Sequence, residues 1–199
     1  MKQFLSLIFL LLTASVIQFM LLSTSGCAYK LSSRSQLLPG NVKRIQIPLF
    51  KNKSVEPGVE VFFTNALKTE ALKSSVVSIQ DKENQSEGIL QGTIQSIDVV
   101  AEESVIQAKD TKFLPSETVI ATQYKVNATI ELVLKRKGST EILWSGIFKQ
   151  GSNYTAPQIT LPVINTANSL YNHSAKRQTL DALSKEMMQA AFDRMLENF

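Results

Sequence analysis

The residue with the plainest chemistry in this 199-residue chain is its only cysteine. Cys27 closes the segment Leu22-Ser23-Thr24-Ser25-Gly26-Cys27, after an uncharged run from Phe4 to Leu22 rich in Leu, Ile, Phe, Val and Met and preceded by Lys2. A basic start, an apolar middle and small residues before the cut are the parts of a secretory signal. With a cysteine at the cut, the chemistry on offer is acylation: Cys27 is expected to become the lipid-bearing first residue of the mature protein. Firm anchoring needs more than one acyl chain, at about 0.8 kcal/mol per buried CH2, and a lipoprotein cysteine carries two or three. Thr24 stands where such signals usually carry Leu. The competing reading is an uncleaved anchor, since about 19 apolar residues approach the ~20 that span a bilayer; Ser6, Thr13, Ser15 and Gln18 weaken it. Ala28 follows the cysteine in place of the Asp of an inner-membrane retention signal, so the outer membrane, on its periplasmic side, is the expected destination.

Other reactive chemistry is thin. His173 is the only histidine and has no second His or Cys partner, so the usual zinc ligand set cannot be assembled. No Gly-x-Ser-x-Gly elbow, P-loop or Gly-x-Gly-x-x-Gly occurs. Glu102-Glu103 reads as solvent-facing residues leaving a strand. No cofactor, metal or catalytic set is expected, and the chain is read as a non-enzyme. The net charge of +4 is spread among both signs with no aromatic-interleaved basic stripe, so nucleic acid is not indicated. One cysteine permits no internal disulfide. Without residues 1–26 about 170 residues remain, enough for one domain that buries roughly 70% of its extended surface.

The elements that position the polar side chains follow from periodicity. Ile45, Ile47 and Leu49 alternate with Arg44, Gln46 and Pro48, giving a strand over Val42–Phe50 that Pro48 assigns to an edge or a strand end. Val59, Phe62, Phe63, Ala66, Leu67 and Leu72 recur at helical spacing, with Pro57 suited to the first turn and both phenylalanines expected to pack on a sheet. Val76–Ile79 is a short strand. Gly88–Val100 is a longer one whose apolar parity switches near Ser96, which calls for a bulge or bend there. The clearest alternation puts Ile120, Tyr124, Val126, Ala128, Ile130, Leu132 and Leu134 on one face. Gln123, Lys125, Asn127, Thr129 and Glu131 occupy the other, which faces water or a polar partner. Lys137-Gly138-Ser139-Thr140 turns the chain into Ile142, Trp144, Gly146 and Phe148. Tyr154–Ile164 reads as a loop. Leu180, Leu183, Met187, Ala190, Ala191 and Met195 stripe a final helix, or two, over about 166–198. The expectation is an α+β fold: a mostly antiparallel four-stranded sheet with two helices on one face.

Taken in order, Gly26-Cys27-Ala28-Tyr29-Lys30-Leu31, Leu38-Pro39, Ile45-Gln46-Ile47-Pro48-Leu49-Phe50-Lys51-Asn52, Gly58-Val59-Glu60, Thr64-Asn65-Ala66-Leu67, Leu90-Gln91-Gly92-Thr93-Ile94, Leu143-Trp144 and Tyr154 resemble the LptE family, the lipoprotein subunit of the outer-membrane lipopolysaccharide translocon. The resemblance spans nearly the whole mature chain. It implies a signal peptide over 1–26, a short tether over 27–37 and one domain over 38–199. It implies a lipid-anchored sandwich that assists assembly of the LptD β-barrel, plugs its lumen as a 1:1 heteromer, and supports lipopolysaccharide transport and insertion. Gln123, Lys125, Asn127, Thr129 and Glu131 would then face the barrel. Basic loop residues implicated in lipopolysaccharide contact in related proteins point to Lys109 and Lys112 here, with Lys135, Arg136 and Lys137 as a second, weaker cluster more often found as solubilising turn residues. The alternative from another class is a stand-alone periplasmic lipoprotein that regulates a cell-wall synthase. The tether of about ten residues keeps the domain near the membrane and favours the translocon.

Overall fold

Residues that repeat every 3.6 positions after Gly58 and every two after Gln123 form a helix and a strand in the computed structural model. The structure describes residues 37–81, 85–102, 105–107, 119–121, 123–155 and 169–197. After a single 3-10 turn at Pro39–Asn41 come β1 (Arg44–Gln46), β2 (Lys51–Asn52), helix α1 (Val59–Ser74), β3 (Ser78–Ile79) and β4 (Gly88–Ala101). Then follow β5 (Val105–Gln107), β6 (Val119–Ala121), β7 (Gln123–Arg136), β8 (Ile142–Thr155) and helix α2 (Ser169–Glu197). Cys27, the expected signal over 1–26 and the expected tether up to residue 36 lie outside the described residues.

The sheet corrects the expectation of four mostly antiparallel strands. It has six, in the order β3-β1-β4-β7-β8, with β2 also pairing β4. Pairings β1–β3, β1–β4 and β2–β4 are parallel, whereas β4–β7 and β7–β8 are antiparallel. Parallel pairing needs a long crossover, and α1, between β2 and β3, supplies it. The expected single strand over Val42–Phe50 is shorter, covering only β1 and ending before Pro48, which cannot donate to a ladder; β2 begins just beyond it at Lys51. β5 and β6 form a separate antiparallel pair.

The bulge expected near Ser96 is present as a register shift between Ile94 and Ser96. It lets Ile94 and Ile97 both enter the core, at 0% and 4% exposure. The even residues of β7 from Val126 to Leu134 are buried against a layer made by both helices. Each fully buried Ile or Leu contributes about 1.5–3 kcal/mol relative to exposure. Phe63 stacks on Phe50, centroids 6.4 Å apart, and is buried as expected. Phe62 is only partly buried and carries the Arg177 guanidinium 5.1 Å above its ring, so it looks towards α2 and not towards the sheet. Leu72 is exposed, contrary to its place in the expected stripe.

Local chemistry fixes the ends. Gly58 adopts a left-handed φ of 80° immediately before α1, so Pro57 precedes the helix instead of occupying its first turn. Thr64 Oγ1 accepts the Phe50 N–H at 3.0 Å and donates to the Glu60 carbonyl at 2.6 Å, tying α1 to the broken edge. The final helix is continuous over 29 residues. Its buried face is wider than the expected stripe, including Met188 and Phe192 while leaving Ala190 exposed, because α2 packs on both α1 and the sheet. Strand β8 continues to Thr155, so Tyr154 is a strand residue and not the start of a loop; the remainder of that expected loop lies outside the described residues.

Candidate functional site

Strand alternation decides which side chains gather away from the helices. Gln123, Lys125, Asn127, Thr129 and Glu131 all lie on the face of β7 opposite its buried residues, and each is half-buried among its neighbours. Register extends the face sideways: Asp98, Asn127 and Gly151 form one row, Ser96, Thr129 and Lys149 another, and Thr93, Glu131 and Ile147 a third. The structure therefore brings together all five residues expected here. It adds partners that the sequence did not single out, because their facing depends on the bulge in β4 and on the β7–β8 register.

The polar groups are cross-linked. Gln95 Nε2 donates to Glu131 Oε2 at 2.6 Å, and Lys53 Nζ donates to Gln95 Oε1 at 3.4 Å. At the other end Glu102 accepts from Asn153 Nδ2 at 2.9 Å and lies 3.9 Å from Lys125 Nζ. Glu102 is thus a paired residue and not a bare solvent-facing one. Gly151 leaves room for this packing. A Cβ there would stand 2.5 Å from Asn127 Oδ1 and 3.0 Å from Lys125 Cε, so its absence lets both side chains lie across β8. Near the same end Tyr124 and Tyr154 stack at 5.4 Å. Burial pushes the Tyr154 hydroxyl above its ordinary pKa of 10.0, with Tyr124 and Glu56 adding to the shift.

The expected basic residues form two groups along the sequence. Lys135, Arg136 and Lys137 sit where β7 ends, and Arg136 Nε is 3.0 Å from Glu141 Oε2. The Lys137 N–H donates to the Glu87 carbonyl at 2.9 Å. Glu87 in turn accepts from the Lys43 N–H at 2.9 Å and lies 2.8 Å from Arg44, so this turn is tied into the sheet. Lys109 and Lys112 lie outside the described residues, in the segment joining β5 to β6. His173 is exposed. Among the described residues no group of three or more His, Cys, Asp or Glu is placed to hold a metal ion. Among them, too, no helix is long and apolar enough to cross a membrane. A groove of about 320 Å³ runs between α1 and α2, lined by Phe62, Thr69, Lys73, Asp181 and Lys185, on the layer away from the polar face.

A one-layer helical cover and a polar, hydrogen-bonded opposite face define a two-layer α+β domain. The sequence over residues 42–199 matches LptE, described as lipopolysaccharide-assembly, and the chain belongs to that family. The family is one of non-enzymatic lipoproteins. No curated protein matches the sequence. Among solved structures it is similar to a single-substitution variant of the PelC dodecamer from Paraburkholderia phytofirmans, with 7% identity and a TM-score of 0.46, covering 80% of this chain and 91% of that one. It is also similar to the rare lipoprotein B from Shewanella oneidensis, with 16% identity and a TM-score of 0.35, covering 76% and 91%. A putative lipoprotein from Caulobacter crescentus CB15 gives 8% identity, a TM-score of 0.44 and coverage of 74% and 88%. With TM-scores below 0.5 these likenesses carry no argument, and the assignment rests on the family match.

Proposed function

We propose that this chain is a lipid-anchored outer-membrane subunit that assists assembly of the LptD β-barrel, plugs it as a 1:1 partner, and so supports lipopolysaccharide transport and insertion. The observation that carries the reading, within the family, is the face built on Lys125, Asn127, Thr129 and Glu131 with its attendant Gln95, Glu102 and Asn153. It holds both charge signs and many donors and acceptors, and the lumen of a wide barrel is a polar space that plugging segments fill. Such surfaces exchange water contacts for direct or water-bridged hydrogen bonds at little net cost. Lys109 and Lys112 are the proposed contacts for the lipid phosphates, and Cys27 the proposed acylation site.

Site-specific photo-crosslinking tests this reading. A crosslinker at Asn127 or Thr129 is expected to capture a large heat-modifiable β-barrel, while one at Ala190 on the helical layer captures it weakly. Capture of a penicillin-binding protein instead would favour the cell-wall alternative and overturn the proposal. Equal capture from both layers would remove the polar face as the contact surface.

A further inference from the structure

The two edges of the main sheet differ in kind. On one side the strands are short: β3 has two residues, β1 three and β2 two, and Pro48 interrupts them. Short strands and proline are among the devices that keep an edge from recruiting another strand. The other edge is β8, 14 residues long, paired with β7 on one side. Among the described residues no strand pairs its outer side. Its sequence from Ile142 to Thr155 has no proline and one charge, Lys149. Two large apolar side chains on this strand, Ile142 and Ile147, are 58% and 63% exposed.

A ladder of alternating N–H and C=O groups is best matched by one kind of ligand, an extended backbone. We infer that β8 is a docking edge on which an extended segment of the barrel partner adds as a further strand. This rests on the proposed barrel contact and specifies how it is made. Two features single out that occupant. The open face of β8, with Lys149 and Asn153, is continuous with the polar face of β7, so a segment from the same partner reaches both. A strand beside β8 also covers Ile142 and Ile147 by cross-strand side-chain pairs. A second copy of this chain is the competing occupant, and self-association through β8 is the outcome that would reveal it.

Residue-resolved amide exchange on the full-length chain, alone and co-purified with the barrel, tests the inference. Alone, β8 is expected to show a period of two: amides bonded to β7 protected, alternate amides exchanging fast. In the complex the alternate amides should slow by at least about 100-fold, and Ile147→Lys should weaken the complex roughly 10-fold, which is about 1.4 kcal/mol, without lowering the melting temperature of the chain. A complex in which the alternate amides stay fast overturns this inference and leaves the barrel contact standing. Protection of those amides in the chain alone, or self-association through β8, overturns it as well. Failure to recover any barrel overturns the proposed function and this inference together.

Discussion

Replacing Gly92 by alanine is the sharpest test of how the core is closed. A Cβ at that position would lie 2.3 Å from Cε2 and Cζ of Phe50. The ring has little room to retreat, since Phe50 is 3% exposed and stacked on Phe63, and its own N–H is held by Thr64 Oγ1 at 3.0 Å. Overpacking of this kind costs about 1–3 kcal/mol, and the severity of the clash places it at the upper end. Loss of glycine's chain entropy offsets about 0.5–1 kcal/mol. The net is about 2 kcal/mol, which in a domain of this size lowers the melting temperature by roughly 4–8 °C. Thermal unfolding followed by circular dichroism reads it directly. Adding Phe50→Leu should relieve the clash, so the double variant should be more stable than the sum of the single effects by about 1 kcal/mol or more. Gly151→Ala serves as the control, because its clash is with the end of the Asn127 side chain, which can swing away. A Gly92→Ala protein melting within about 1 °C of the parent, or strict additivity with Phe50→Leu, would refute the packing derived for this strand.

Glu87 contributes to the acid dependence of stability. Its carboxylate is held below the ordinary value of 4.5, first by the Lys43 N–H and then by Arg44, against some desolvation. A depressed carboxylate contributes stability that is complete above the unfolded value and is lost as pH falls through the lower folded value. Denaturation midpoints taken on both sides of pH 4.5 should therefore fall more steeply for the parent than for Glu87→Gln, and parallel curves would contradict this. Charge reversal at both Lys109 and Lys112 is expected to weaken lipopolysaccharide binding and to flatten its salt dependence; unchanged binding would remove them from the site. Mass spectrometry of the mature protein is expected to find an acylated N-terminal Cys27, and an intact Met1 would end the lipoprotein reading.

Much of the domain is legible in the sequence because alternation and helical spacing are strong over long elements. The inward and outward sets of β7, the bulge by Ser96 and the helix after Gly58 all follow from side-chain parity or period. Strand direction does not. Nothing in Arg44–Gln46 or Ser78–Ile79 distinguishes parallel from antiparallel pairing; the crossover through the intervening helix permits the parallel one. The far half of β8 carries Ser, Asn, Gln and Gly where an apolar alternation would announce a strand, so its end at Tyr154 resembles a loop in sequence. The polar face is half legible: β7 supplies five residues, but Gln95, Glu102 and Asn153 reach it through register with other strands. The basic turn Lys135-Arg136-Lys137 shows as composition alone, and its ties to Glu141 and Glu87 require the fold.

Depletion of the chain in living cells, with newly made lipopolysaccharide followed to the cell surface, measures the central claim most directly. Surface delivery is predicted to fall as the chain is lost, with the glycolipid held behind the outer membrane and assembled barrel declining in parallel. Undiminished delivery and normal barrel levels in depleted cells would contradict a role in lipopolysaccharide assembly.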